Sequence, residues 1–298
     1  MNSRWFTCLL TAFIATISCT TSRYAANIEY QKIDVSYEYE GILEERFHDC
    51  SVPGPSKRRM FVYLPSDYYK SDQRYPVLYL LHGARGNETS WIIKGQCLHH
   101  VDSLMAIGKM EKTIIAFPNT NQHKNDKDYG KSRIKGPVEA LFEIVGDVES
   151  AFVDDVVQTI DSLYRTIPQK DSRAIGGLSI GALQSIHISA NNPGCFGYVG
   201  LFSPMIHPAF NHGVYSSFYR RLRQKLEFQF ADPPCLYWVM IGKKDFFYPR
   251  SKIFCRYLSR HGYQFESIVT NGGHDWSNWI SYCDLFMERL WKQKYTSP

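Results

Sequence analysis

The sequence predicts an α/β protein built on a mainly parallel central sheet with helices on both faces. Its apolar runs are continuous rather than alternating, as in Tyr75-Pro76-Val77-Leu78-Tyr79-Leu80-Leu81 and Thr113-Ile114-Ile115-Ala116-Phe117-Pro118. Such runs mark strands buried on both faces, which is the situation in a parallel sheet. Between them lie stretches with helical spacing, such as Val148 to Tyr164, where Phe152, Val156, Ile160 and Tyr164 share one face. Strands alternating with helices pack as crossovers over a covered sheet. The chain has 298 residues, 44% hydrophobic and 21% charged, enough for one such domain, and no repeat or composition shift marks a linker. One domain is therefore expected over residues 27–298.

In chain order, residues 27–48 alternate loosely and suit an outer strand. Arg59 to Leu64 is a strand, stopped by Pro65. The strand ending at Leu81 gives way to the loop His82-Gly83-Ala84-Arg85-Gly86-Asn87, and helical spacing follows from Trp91 to Ile107. After the strand ending at Pro118, residues 119–136 are polar, charged and long for a connection, so a loop over the site is expected. Val148 to Tyr164 is a helix, Arg173 to Leu178 a strand, Ala182 to Ser189 helix-compatible and Gly197 to Ser203 a strand. Residues 204–230 read as irregular or partly helical. Leu236 to Ile241 and Phe265 to Thr270 are strands, with Ser251 to His261 and Ser277 to Lys292 as helices.

Residues 1–26 read as an export signal. Arg4 supplies positive charge, Trp5 to Ile17 is mostly apolar, and small polar residues follow from Ser18 to Ser22. The apolar stretch is short for a membrane span, and none follows it. Cys19 is a candidate lipid acceptor, set against ordinary cleavage before Asn27. Export permits disulfides among Cys50, Cys97, Cys195, Cys235, Cys255 and Cys283, but buried thiols suit these positions equally well. Their spacings match neither a zinc ribbon nor a redox pair. The net charge of +5 is spread out, and Lys57-Arg58-Arg59 and Arg220-Arg221-Leu222-Arg223 read as solvated faces. No nucleic-acid partner is expected.

The chemistry centres on Gly177-Leu178-Ser179-Ile180-Gly181, which has the spacing of a nucleophile elbow. A serine on a tight strand-to-helix turn is pushed out at the carboxyl end of the sheet. Glycines two residues to either side let the turn close. The following N–H, that of Ile180, stands at a helix N-terminus where an oxyanion can be held. Such a serine needs a base, and the base needs an acid to orient it. In the order serine, acid, histidine, Asp245 follows one strand and His274, in Gly272-Gly273-His274-Asp275-Trp276, follows the next. Asp275 and Asp232 rank below Asp245, and His187, His207 and His212 below His274. The second oxyanion donor is expected from the loop after Leu81, at the N–H of Ala84 or else Gly83. His82 reads as a loop-orienting residue. Trp91, Tyr129, Trp276 and Trp279 are candidate walls of a substrate site, with core packing as the other reading of Trp91 and Trp276.

Five segments recur in this order in one known group: Arg59-Met60-Phe61-Val62-Tyr63-Leu64-Pro65, Tyr75 to Gly83, Gly176 to Gly181, Gly242-x-x-Asp245 and Gly272 to Trp279. Over about residues 55–292 the chain resembles the esterase-D-like esterases of the α/β-hydrolase superfamily. That group includes feruloyl and acetylxylan esterases, S-formylglutathione hydrolases, siderophore esterases and mycolyltransferases. The resemblance implies an α/β-hydrolase fold with Ser179 as nucleophile, His274 as base and Asp245 as acid, working without metal or cofactor. With the export signal it implies an exported esterase acting on small-molecule or polysaccharide esters, feruloyl or acetyl. Acyl transfer by the same triad, a thioesterase of the S-formylglutathione hydrolase kind and a non-catalytic binding module are the alternatives. The chain departs from the group at Gly181-Ala182, at Asn119-Thr120 where many members are acidic, and over residues 119–150.

Overall fold

A computed structural model describes residues 33–52, 55–121, 146–206 and 217–292. Eight strands form one sheet: β1 (Ile42–Asp49), β2 (Lys57–Leu64), β3 (Val77–Leu81), β4 (Ile114–Pro118), β5 (Arg173–Leu178), β6 (Tyr198–Phe202), β7 (Leu236–Gly242) and β8 (Glu266–Thr270). Their spatial order is β1-β2-β4-β3-β5-β6-β7-β8. β2 runs antiparallel to both β1 and β4, and every pairing from β4 through to β8 is parallel. The carboxyl ends of β3, β5, β7 and β8 therefore open on one edge, where ligands gather in α/β sheets.

The continuous apolar runs bury both faces, as their composition demands. On β3, Val77, Tyr79 and Leu81 join one core cluster, while Leu78 and Leu80 join the other. The first cluster is covered by α4 (Gln158–Leu163), α5 (Ile180–Asn191), α6 (Leu222–Ala231) and α7 (Tyr248–Arg260). The second lies under α1 (Ser90–Ile93), α2 (Cys97–Ala106) and α8 (Trp276–Arg289). β8 is an edge strand with alternating partial exposure, which explains its weaker apolar run.

Several sequence expectations change. The helix expected from Trp91 to Ile107 is two helices. Gln96 between them is left-handed at φ 47°, and a Cβ on Gly95 would stand 2.7 Å from the Trp91 carbonyl oxygen. The helix expected from Val148 to Tyr164 is α3 (Asp147–Ser150), a π-helical turn (Val153–Val157) and α4. Among residues 33–48, only those from Ile42 onward pair in the sheet. Arg58 and Arg59 are not on a solvated face. Both are buried, because β2 is an interior strand, and Arg59 is paired with Glu88 at 2.6 Å and Glu45 at 3.0 Å. Arg220, Arg221 and Arg223 are exposed as expected. The six described cysteines are thiols. Among the described residues no helix is long and apolar enough to cross a membrane. The export segment with Cys19, Tyr129, His207, His212 and most of the loop expected over residues 119–136 lie outside the described residues.

α8 packs tightly on the sheet at β6. A Cβ on Gly200 would stand 2.9 Å from the Phe286 ring. Gly200→Ala is expected to lower the unfolding free energy by about 1–3 kcal/mol through overpacking, read as a lower urea midpoint. Adding Phe286→Leu should recover part of the loss.

Candidate active site

Ser179 sits between β5 and α5 with φ 56° and ψ −111°, a strained conformation for a residue with a side chain. The turn closes because its flanking glycines have no Cβ. One on Gly177 would stand 2.7 Å from the Gly181 carbonyl carbon, and one on Gly181 would stand 2.4 Å from the His82 carbonyl oxygen. The Ser179 N–H donates to the Phe202 carbonyl at 2.8 Å, and the Met205 N–H donates to the Ser179 carbonyl at 3.2 Å. The turn is thus tied to β6 and to the segment after it. Ile180 is the first residue of α5, so its N–H has no partner within the helix.

The structure brings the three predicted residues together. His274 Nε2 lies 3.0 Å from Ser179 Oγ, and His274 Nδ1 lies 2.8 Å from Asp245 Oδ2. A carboxylate only accepts, so Nδ1 carries the proton and Nε2 presents a lone pair to the serine hydroxyl. Asp245 is buried, and its Oδ1 accepts from the Phe247 N–H at 2.8 Å. Asp275 serves elsewhere. It caps the N-terminus of α8, accepting from the Asn278 N–H at 3.2 Å, and the Ser277 hydroxyl holds its pKa below the usual carboxylate range.

The loops carrying Asp245 and His274 touch backbone to backbone. A Cβ on Gly242 would stand 2.0 Å from the Gly272 carbonyl oxygen. The Lys244 N–H donates to that oxygen at 3.0 Å, and the Lys243 N–H donates to the Thr270 carbonyl at 2.8 Å. Asn278 Nδ2 then donates to the Gly273 carbonyl at 3.0 Å, fixing the peptide before His274.

His82 is buried and orients its loop, as expected. Its Nε2 lies 3.1 Å from the Thr120 N–H, which must donate, so Nδ1–H donates to the Gly83 carbonyl at 2.9 Å. A trans peptide sets C=O and the next N–H in opposite directions. Holding the Gly83 carbonyl therefore orients the Ala84 N–H. Behind Thr120 runs a buried chain that sequence reasoning missed. Thr120 Oγ1 donates to Gln184 Oε1 at 2.9 Å, Gln184 Nε2 donates to Glu149 Oε1 at 2.9 Å, and the Tyr219 hydroxyl donates to the same oxygen. Asn119, flagged as a departure, donates to the buried Glu88 at 2.7 Å.

The tryptophans divide. Trp91 is 1% exposed, with its Nε1–H donated to the Leu81 carbonyl at 2.9 Å, so it lies beneath the site. Trp276 stacks edge-on against Trp91 at 5.3 Å and is partly exposed. Trp279 is 8% exposed and stands edge-on to the His274 ring at 4.9 Å. Two unforeseen rings complete the surround: Phe246 and Phe247 lie 4.5 Å and 5.3 Å from the imidazole. Phe246 is 57% exposed. The Asp-Phe-Phe run at the end of a strand was a visible clue, since a ring next to the acid cannot be far from the base.

The strand order and the elbow at β5 define the α/β-hydrolase fold. The chain belongs to the esterase family whose model, described as "Putative esterase", matches residues 53–257. It is 29% identical over 239 residues, 78% of its length, to the endo-1,4-beta-xylanase/feruloyl esterase of Xylanibacter ruminicola. It spans 29% of that relative's length. A solved ferulic acid esterase is 25% identical with a TM-score of 0.68, over 85% of this chain and 98% of that one. The ferulic acid esterase of Anaeromyces mucronatus shares the fold at 21% identity and a TM-score of 0.68, over 88% and 94% of the two chains. So does the S-formylglutathione hydrolase of Staphylococcus aureus, at 17% and 0.63, over 85% and 99%.

Burial lowers the His82 pKa from 6.5 to about 4. As pH falls the unfolded chain binds this proton first, so stability is lost between about pH 6.5 and 4. The contribution is about 3 kcal/mol across that window. Urea unfolding at the two pH values should show this extra loss in the wild type and not in His82→Gln. Equal pH dependence in both proteins would contradict it.

Proposed function

We propose that the protein is an exported serine carboxylesterase that removes hydroxycinnamoyl groups, of the feruloyl type, from plant carbohydrate. The observation that carries this is the hydroxyl–imidazole–carboxylate chain at 3.0 Å and 2.8 Å, set among the rings of Phe246, Phe247, Trp276 and Trp279. Family membership supports ester chemistry. The feruloyl esterase activity named for the Xylanibacter relative supports the acyl class. In this reading residues 27–298 are one catalytic domain and residues 1–26 direct export.

Ser179 Oγ attacks the ester carbonyl while His274 Nε2 takes its proton. The N–H groups of Ile180 and Ala84 hold the oxyanion, each contributing about 3 kcal/mol in the transition state. Asp245 keeps Nδ1 protonated and stabilises the imidazolium. The imidazolium then protonates the departing sugar alkoxide, leaving an acyl-Ser179 ester. Water, deprotonated by His274, attacks that ester and restores the serine hydroxyl. Every proton taken is returned, and no metal or redox group takes part in these steps.

The half-exposed face of Phe246 beside the base suits an aryl ring. Offset or edge-on ring contacts contribute about 0.5–1.5 kcal/mol beyond area burial. A short acyl group would gain nothing from it.

Ser179→Ala is expected to abolish labelling by a fluorophosphonate and to lower kcat by at least about 10⁴-fold. A wild type that resists labelling and cleaves no aryl ester would remove the enzymatic reading. Against a panel of p-nitrophenyl acetate, p-nitrophenyl butyrate and methyl ferulate, kcat/KM should be highest for methyl ferulate, and a preference for acetate would reassign the acyl class. Phe246→Ala should raise KM for methyl ferulate by about 10-fold while leaving p-nitrophenyl acetate turnover within about two-fold.

A further inference from the structure

At the opposite side of the sheet from β8, the end of β1 carries a set of donors that the ester chemistry does not use. One ring nitrogen of His48, the sulfur of Cys50 and a carboxylate oxygen of Asp155 all lie within 4.8 Å of one another. We propose that these three residues bind a zinc-class divalent cation, which staples the end of β1 to the π-helical turn before α4.

The imidazole carries the argument. His48 is 2% exposed. Its Nδ1 lies 3.0 Å from the Asp49 carbonyl oxygen, which can only accept, so Nδ1 holds the proton and Nε2 the lone pair. That Nε2 is buried and has no hydrogen-bond partner among the described residues. Leaving a buried acceptor unpaired is costly, and buried polar side chains are normally satisfied. A backbone carbonyl on Nδ1 with an unused Nε2 is also the arrangement that orients metal-binding histidines.

The other two donors are held as well. The Ser51 N–H donates to Asp155 Oδ2 at 3.0 Å, fixing the carboxylate beside Cys50 across 104 residues of sequence. Arg58 Nε donates to Cys50 Sγ at 3.0 Å, fixing the sulfur. Asp155 belongs to the π-helical turn Val153–Val157, and such turns often accompany functional sites.

The donor set selects the ion. Imidazole nitrogen, thiolate sulfur and one carboxylate suit zinc and its borderline neighbours, whereas magnesium and calcium prefer oxygen throughout. Ligands at about 2.0–2.3 Å from a tetrahedral zinc stand roughly 3.6 Å apart, so the observed spread of up to 4.8 Å closes by about one ångström. Three protein ligands leave the fourth position to water. Binding breaks the Cys50 S–H bond and forms a metal–sulfur bond, the proton leaving to solvent. Among the described residues β1 pairs only with β2, so the ion ties an edge strand to the helical layer.

The test uses the full chain, stripped with chelator and then titrated with Zn²⁺ by calorimetry, and with Co²⁺ by absorption. One ion per chain is expected, with a thiolate-to-cobalt charge-transfer band. The melting temperature should rise about 5 °C at free zinc about 100-fold above Kd. Cys50→Ser should lose the charge-transfer band and about 100-fold or more in zinc affinity. Asp155→Asn, at a half-buried ligand, should still fold and should bind at least about 10-fold more weakly. Absence of saturable binding to the wild type overturns the proposal. So does undiminished binding by either variant, which would place the ion elsewhere. Should Cys50→Ser fail to fold, the wild-type cobalt spectrum together with Asp155→Asn still decides.

Discussion

The approach of Gly242 to the Gly272 carbonyl governs the geometry of the site. No side chain fits between them, since a Cβ would come within 2.0 Å of that oxygen. Backbone hydrogen bonds from Lys243 and Lys244 then tie the loop after β7 to the end of β8 and the loop beyond it. Asp245 and His274 each sit within three residues of this contact, so their side chains meet at 2.8 Å. The serine reaches the same place from β5, two strands from β7 in the sheet. A parallel sheet brings successive loops to one edge, but that alone would leave the acid and base unregistered. The bare backbone contact supplies the register.

A second constraint acts through the loop after β3. The neutral His82 reads the Thr120 N–H on one nitrogen and holds the Gly83 carbonyl with the other. Its surroundings exclude water, which is why its protonated form is disfavoured. The chain of Thr120, Gln184, Glu149 and Tyr219 continues this rigidity to α3 and to the segment before α6. A satisfied buried network of this kind resists displacement, because moving any member orphans its neighbour. The strain at Ser179 is thus held from both sides of the turn.

Much of the site was legible in the residues. Gly177-Leu178-Ser179-Ile180-Gly181 has the spacing of a nucleophile elbow, and continuous apolar runs announce strands buried on both faces. Asp245 and His274 follow such runs, and order along the chain places both at the carboxyl edge. What escaped was whatever depends on side chains meeting across the fold. Glu149 and Gln184 look like ordinary helical polar residues, and nothing local says that both face inward to Thr120 and Tyr219. Arg58 and Arg59 look like a surface cluster because charge pattern does not reveal that β2 is an interior strand. For Trp91 the sequence favours the core without excluding a wall, and the bond from its indole N–H to the Leu81 carbonyl places it beneath the site.

The sequence by itself determined the covered parallel sheet and pointed to Ser179, Asp245 and His274 as the residues that meet at its carboxyl edge. Each follows from local pattern: hydrophobic periodicity, glycine spacing and residue order. Only the tertiary structure decided which aromatic rings surround His274, how the loop after β3 is held and where His48 meets Asp155. Those depend on distances between residues tens to a hundred positions apart, and packing sets such distances, with no trace in any one stretch of chain.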